Sequence, residues 1–175
     1  MLDFPQSDRD FEQALRYLSK KMPDANNLPK PTLLHSTRVG IYLHNHGYNS
    51  SICIAGLLHD LVEDSDVSLD DIEQNFGKEV AFLVDANTKN EELPEEKRYE
   101  ELLKKCIEIG EDASIVKAAD IIDNLITYRK INSDEGIENM LRFGKMLLDK
   151  KEKRSEDLCC KHPNFSTACS WICWT

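Results

Sequence analysis

The chain has 175 residues and a formal net charge of −10. This length suffices for one domain with a full core. The acidic balance argues against a nucleic-acid backbone or an anionic membrane as the main partner, because both need clustered Lys and Arg. A small anionic substrate stays admissible if a metal and local lysines offset the field. No apolar run approaches the ~20 residues of a membrane span. The start, MLDFPQSDRDF, lacks the basic and apolar regions of a signal peptide. The expectation is therefore a cytoplasmic protein in which Cys53 and Cys106 are reduced and buried.

Ser7 is placed to cap a first helix from about Asp8 to Met22, with Phe11, Leu15 and Leu18 inward. Pro23 ends it, and Asn26–Asn27, Pro29 and Pro31 mark a loop. Leu33–Asn45 reads as the next helix, with His35 in its first turn. His44 and His46, beside Gly47, look exposed.

The most informative stretch is AGLLHDLVEDSD, Ala55–Asp66. With Asn49 or Ser50 as its start, it reads as one continuous helix. Ile54, Leu57, Leu58, Leu61 and Val62 share one side, and His59, Asp60, Glu63 and Asp64 share the other. Three carboxylates crowd that polar arc with no nearby Lys or Arg, and like charges one turn apart repel. Gly56 lies in the same arc, where glycine costs about 1 kcal/mol relative to alanine. Carboxylates beside a His, with bare backbone one turn earlier, suit a cation and an approaching ligand. Other segments must complete any coordination sphere.

Ser68 to Asp71 resembles a capping box with a shortened acid and opens a short helix to about Asn75. Phe76–Thr88 follows, with Val80, Leu83 and Val84 as its apolar stripe. Pro94 fits a first helical position, and Gly110 closes a helix over Glu95–Ile109. Ala113–Ile131 carries a second constellation, in which Lys117, Asp120 and Asn124 recur at three and four, with Asp123 beside them. Small Ala118 and Ala119 would let this helix approach a neighbour. Ser133 can cap a last helix to about Lys150. No strand-like alternation or internal repeat is visible, so the expected fold is all-α. The expected organisation is one domain over residues 1–150 and a tail over 151–175. The tail is charged and then rich in Cys159, Cys160, Cys169 and Cys173, with His162, Trp171 and Trp174. Its spacings make a weak zinc signal.

His35, His59, Asp60 and Asp120 would form a mixed nitrogen and oxygen shell. Such a shell suits a borderline divalent ion such as manganese or iron. Four protein ligands leave room in an octahedron for a water and a phosphate oxygen. Glu63 and Asp64, one turn beyond, are placed to take a proton from that water or to orient it.

The pattern resembles the HD-domain metal-dependent phosphohydrolases, and among them the RelA/SpoT-type hydrolase domain that removes pyrophosphate from (p)ppGpp with manganese. The matching segments are PTLLH ending at His35, AGLLHDLVEDS, IEQNFGKEVAFLVDANTK from Ile72 to Lys89, and KAADIIDNL from Lys117 to Leu125. The resemblance implies a helical bundle, with His35, His59, Asp60 and Asp120 on the metal. It makes Glu63 and Asp64 the catalytic acids and sets Lys117 and Asn124 along the nucleotide, and Lys30 joins them as an expected substrate contact. The chain departs from the family where a basic pair usually packs on the guanine: counting back from His35 reaches Asn26–Asn27. It departs again at Ile121 and Asp123. The expected activity is a (p)ppGpp 3′-pyrophosphohydrolase acting on a small nucleotide, with self-association left open. The competing expectations are an HD nucleotidase that releases inorganic phosphate from nucleoside monophosphates and a non-catalytic nucleotide-binding module.

Overall fold

The computed structural model describes residues 5–24 and 30–155. Among these residues the secondary structure is helical, with no strand, as the periodicity implied. The helices are α1 Gln6–Lys21, α2 Thr32–Asn45, α3 Ser50–Leu58, α4 Leu61–Asp64, α5 Leu69–Phe76, α6 Lys78–Asn87, α7 Glu95–Ile109, α8 Glu111–Lys130 and α9 Asp134–Ser155. Asn26–Asn27 and the Cys- and Trp-bearing tail lie outside the described residues.

Local chemistry explains most boundaries. The Asn49 side chain accepts from the Ile52 N–H and opens α3. Ser68 and Asp71 form the reciprocal capping box, opening α5 as expected. Other boundaries shift from expectation. Helix α1 begins at Gln6, behind Pro5, so Ser7 lies inside its first turn and caps nothing. Gly77 adopts φ 88° and separates α5 from α6, which therefore starts at Lys78 rather than Phe76. Helix α8 starts directly after Gly110, and α9 runs past Lys150 to Ser155.

Helix α3 is the hub, with every residue from Ile52 to Leu58 buried. It packs against α1, α2, α6 and α8. The main core gathers Leu18, Val39, Leu43, Leu57, Leu58, Leu61, Ile72, Val84 and Val116. A smaller cluster joins Leu103, Ile121, Met140, Phe143 and Leu147, tying α7, α8 and α9 together. Cys53 and Cys106 are buried free thiols.

The reading of Gly56 as bare backbone facing a ligand is corrected. A Cβ there would overlap a Leu43 methyl, and the Gly40 Cα lies 3.7 Å from its ideal position. Gly56 therefore serves a tight α2–α3 contact. That contact brings the two histidine-bearing segments within reach of each other.

Candidate metal centre

Three elements supply the expected donors. His35 comes from the first turn of α2, His59 and Asp60 from the turn after α3, and Asp120 from the middle of α8. The continuous helix expected from Ala55 to Asp66 is broken at His59–Asp60. The His59 imidazole bonds through Nδ1 to the Gly56 carbonyl at 2.9 Å, a local side-chain bond that competes with regular helix bonding. His59 is fully buried and Asp60 is 8% exposed.

The donors converge. His35, His59 and Asp120 each bring one ligand atom within 4.8 Å of the others. His35 Nε2 is 3.1 Å from Asp120 Oδ1 and 3.6 Å from Asp60 Oδ2. His59 Nε2 is 3.3 Å from Asp60 Oδ1 and 3.7 Å from Asp120 Oδ1. Both Nε2 atoms and Asp60 Oδ2 are buried without a hydrogen bond of acceptable geometry.

The opposite ring nitrogens explain why. His35 Nδ1 lies 2.7 Å from Asp123 Oδ2, and His59 Nδ1 lies against the Gly56 carbonyl. With each Nδ1 donating its proton there, the neutral form of each ring, the form that ligates a metal, presents a lone pair at Nε2. In that form the lone pairs face carboxylate oxygens, acceptor against acceptor. A divalent cation would satisfy His35, His59 and Asp120 together, with Asp60 beside them, and backing of each ligating imidazole by a carboxylate or carbonyl is the usual outer arrangement. The donor set therefore fits a divalent metal.

The surrounding charges are arranged to keep the carboxylates ionised. Burial pushes Asp120 up, but the Lys117 ammonium at 3.0 Å and the two imidazoles hold it well below the ordinary carboxylate range. Burial likewise raises Asp60, and His59 and Lys30 outweigh it. For His35, burial disfavours the charged ring, yet the Asp120 and Asp123 carboxylates push it up to about 9. That proton must leave when a metal binds.

Lys117 sits where the expectation of a nucleotide contact did not put it. Its side chain is 3% exposed, its ammonium is bound to Asp120, and it lies 5.6 Å from the centre of the Tyr99 ring. Asn124 donates to Asp120 Oδ1 at 2.5 Å. Lys30 lies at the mouth, 3.0 Å from Asp60 Oδ2. Both oxygens of Glu63 are taken by Lys89, one by its N–H at 2.7 Å and the other by its ammonium at 2.6 Å. Asp64 is raised by burial first and by Asp60 and Glu63, with the Thr32 hydroxyl and Lys30 opposing. His44 pairs with Asp8, and His46 stacks on Tyr42, both away from the cluster.

The roles of four residues escaped sequence reasoning. Asp123 braces His35, Arg38 braces Asp123, Lys89 grips Glu63, and Tyr99 underlies Lys117. Asp123 and Arg38 carried a usable signal, since each lies three residues beyond an expected ligand on the same helix face.

A family model described as HD domain matches residues 14–148, most of the chain. The chain belongs to the HD-domain family. Among HD relatives, it is 29% identical over 128 residues to the guanosine-3′,5′-bis(diphosphate) 3′-pyrophosphohydrolase of Aquifex aeolicus, covering 71% of this chain and 18% of that protein. It is 36% identical over 86 residues to the Mus musculus protein of the same name, covering 49% of this chain and 48% of that one. The chain thus spans about half or less of the curated relatives' own length. A solved structure, described as a metazoan ortholog of SpoT that hydrolyzes ppGpp, superposes with a TM-score of 0.73. It is 24% identical and covers 98% of this chain and 96% of its own. That likeness shows a shared HD-type fold.

Proposed function

We propose that this chain is a metal-dependent phosphohydrolase that removes the 3′-pyrophosphate of (p)ppGpp or a closely related nucleotide. The observation that carries the reading is the convergence of the buried His35 and His59 Nε2 atoms on the Asp60 and Asp120 carboxylates. The names of the relatives in Aquifex aeolicus and Mus musculus support the substrate class.

His35, His59, Asp60 and Asp120 would hold the cation. The mixed imidazole and carboxylate set favours manganese, with iron next. When bound, a divalent cation acidifies water and withdraws charge from phosphorus. The chain's own residues divide the remaining work. Arg38 and Asp123 fix the His35 ring and its tautomer, while Lys117 and Asn124 fix the Asp120 carboxylate.

Glu63 and Asp64 are the proposed catalytic acids. Glu63 is oriented through both oxygens by Lys89, which sets it to align the attacking water. Asp64, with its raised affinity for a proton, is the group that receives one at a carboxylate oxygen and returns it to the leaving group. Lys30 supplies positive charge for the substrate's phosphates, and Lys117 acts through Asp120 rather than on the nucleotide.

The test is incubation of purified protein with manganese and ppGpp, resolving products by chromatography. GDP and pyrophosphate are expected, and their absence over a range of protein concentrations retires this substrate. Release of inorganic phosphate from a panel of nucleoside monophosphates would move the assignment to an HD nucleotidase.

A further inference from the structure

We propose that Lys30 competes with the metal for Asp60: its ammonium holds that carboxylate in the metal-free protein and swings toward substrate phosphate once a divalent cation takes it. The second half of this proposal rests on the phosphohydrolase reading; the first does not.

Lys30 lies just ahead of α2, five residues before His35, and reaches inward from the mouth. Its side chain is 39% exposed, whereas the Asp60 side chain that it meets is 11% exposed. The contact is on Oδ2, the oxygen that His35 Nε2 also approaches, at 3.6 Å. That oxygen makes no hydrogen bond of good geometry. It is thus held by charge alone, which a second cation can replace. Asp120 and Asp64 add to the field that keeps the ammonium protonated against the cost of burial. The Lys30 backbone is tied down, since its carbonyl accepts from the Thr32 N–H at 2.8 Å and the Thr32 hydroxyl at 3.3 Å. Only the flexible four-carbon stem has to move.

The sign of one measurement separates this from a bland role. An ammonium 3.0 Å from a ligand oxygen repels an incoming divalent ion. If Lys30 competes, removing its charge tightens metal binding. If it merely orients Asp60 for the metal, removing it loosens metal binding.

Wild type, Lys30→Gln and Lys30→Arg are stripped with chelator, checked for helical content by circular dichroism, and titrated with manganese in a calorimeter. Lys30→Gln should bind manganese roughly tenfold more tightly, discounted from the bare Coulomb value for the exposed side chain. Lys30→Arg should stay near the wild-type value. Unchanged or weaker binding in Lys30→Gln overturns the competition. For the release step, Lys30→Gln should raise the KM for ppGpp several-fold while kcat holds, and an unchanged KM overturns that step. The calorimetric arm needs no turnover, so a chain that failed to hydrolyse ppGpp would sink the functional reading and leave the competition to be decided on its own.

Discussion

Arg38 and Asp123 form a two-pronged ion pair directly behind His35, with Nε on Oδ1 at 2.6 Å and Nη2 on Oδ2 at 2.7 Å. The same Oδ2 takes the His35 Nδ1 proton at 2.7 Å. One carboxylate therefore fixes the ring through one nitrogen and leaves the other free to ligate. Asp123→Asn keeps the shape and removes the charge. It should weaken manganese binding by about 10–100-fold, the usual cost of losing such a brace. Calorimetric titration checks it, and Arg38→Gln should move the affinity the same way by less, because the guanidinium touches the imidazole only through Asp123.

Lys89 grips both oxygens of Glu63, and that grip should matter for rate more than for binding. Glu63→Gln should lower kcat by about 10²–10⁴-fold, the range for a positioned acid or base. Lys89→Met leaves its N–H bond in place and removes the ammonium. It should lower kcat by a smaller factor with the manganese affinity intact. Parallel steady-state kinetics and calorimetry on the two variants make the comparison. Equal losses of metal binding and of rate would count against the assigned roles.

How much of this was legible in advance varied by element. The candidate donors His35, His59, Asp60 and Asp120 could be singled out because the dipeptide and its flanking segments carry a strong local pattern. The break after Leu58 could not, since apolar spacing continues unbroken through it and only the His59–Gly56 bond shows where regular helix stops. Gly56 was misread because one helix wheel says nothing about the partner that a bare backbone will touch. Lys117 was misread for a related reason: a lysine three residues before an aspartate looks the same whether the pair is wet or buried. The Asp123 brace spans 88 residues, beyond any local periodicity.

Close approach of α2 and α3 gives a stability prediction. A Cβ on Gly40 would overlap the Leu57 side chain and crowd its backbone N, at 3.3 Å. Backbone cannot yield as a side-chain tip can. Gly40→Ala should therefore destabilise by about 1–3 kcal/mol through overpacking, despite the better helix propensity of alanine. Urea unfolding of the two proteins measures it.

Cys53 gives a pH prediction. Burial pushes its thiol up to about 11, against the opposing pull of a backbone hydrogen bond. A raised value means that the folded chain holds the proton longer than the unfolded one. The stability is thus complete below the unfolded value of 9.0 and is lost as pH rises through about 11. Cys53→Ala lacks this term. The stability gap between wild type and Cys53→Ala should shrink in favour of the variant from pH 9 to pH 11, read from urea midpoints at each pH.

Asp120 stands on a seam. Its helix turns Ile115, Val116 and Ala119 toward the main core and Ile121 and Leu125 toward the smaller cluster formed with α7 and α9. The donor carboxylate is carried where the two packings meet, so its position is the compromise between them. Damage in the far layer, at Phe143 or Leu147, should thereby shift the Asp120 carboxylate and weaken the hold on a cation. Lost occupancy would be the first symptom, ahead of any loss of helix.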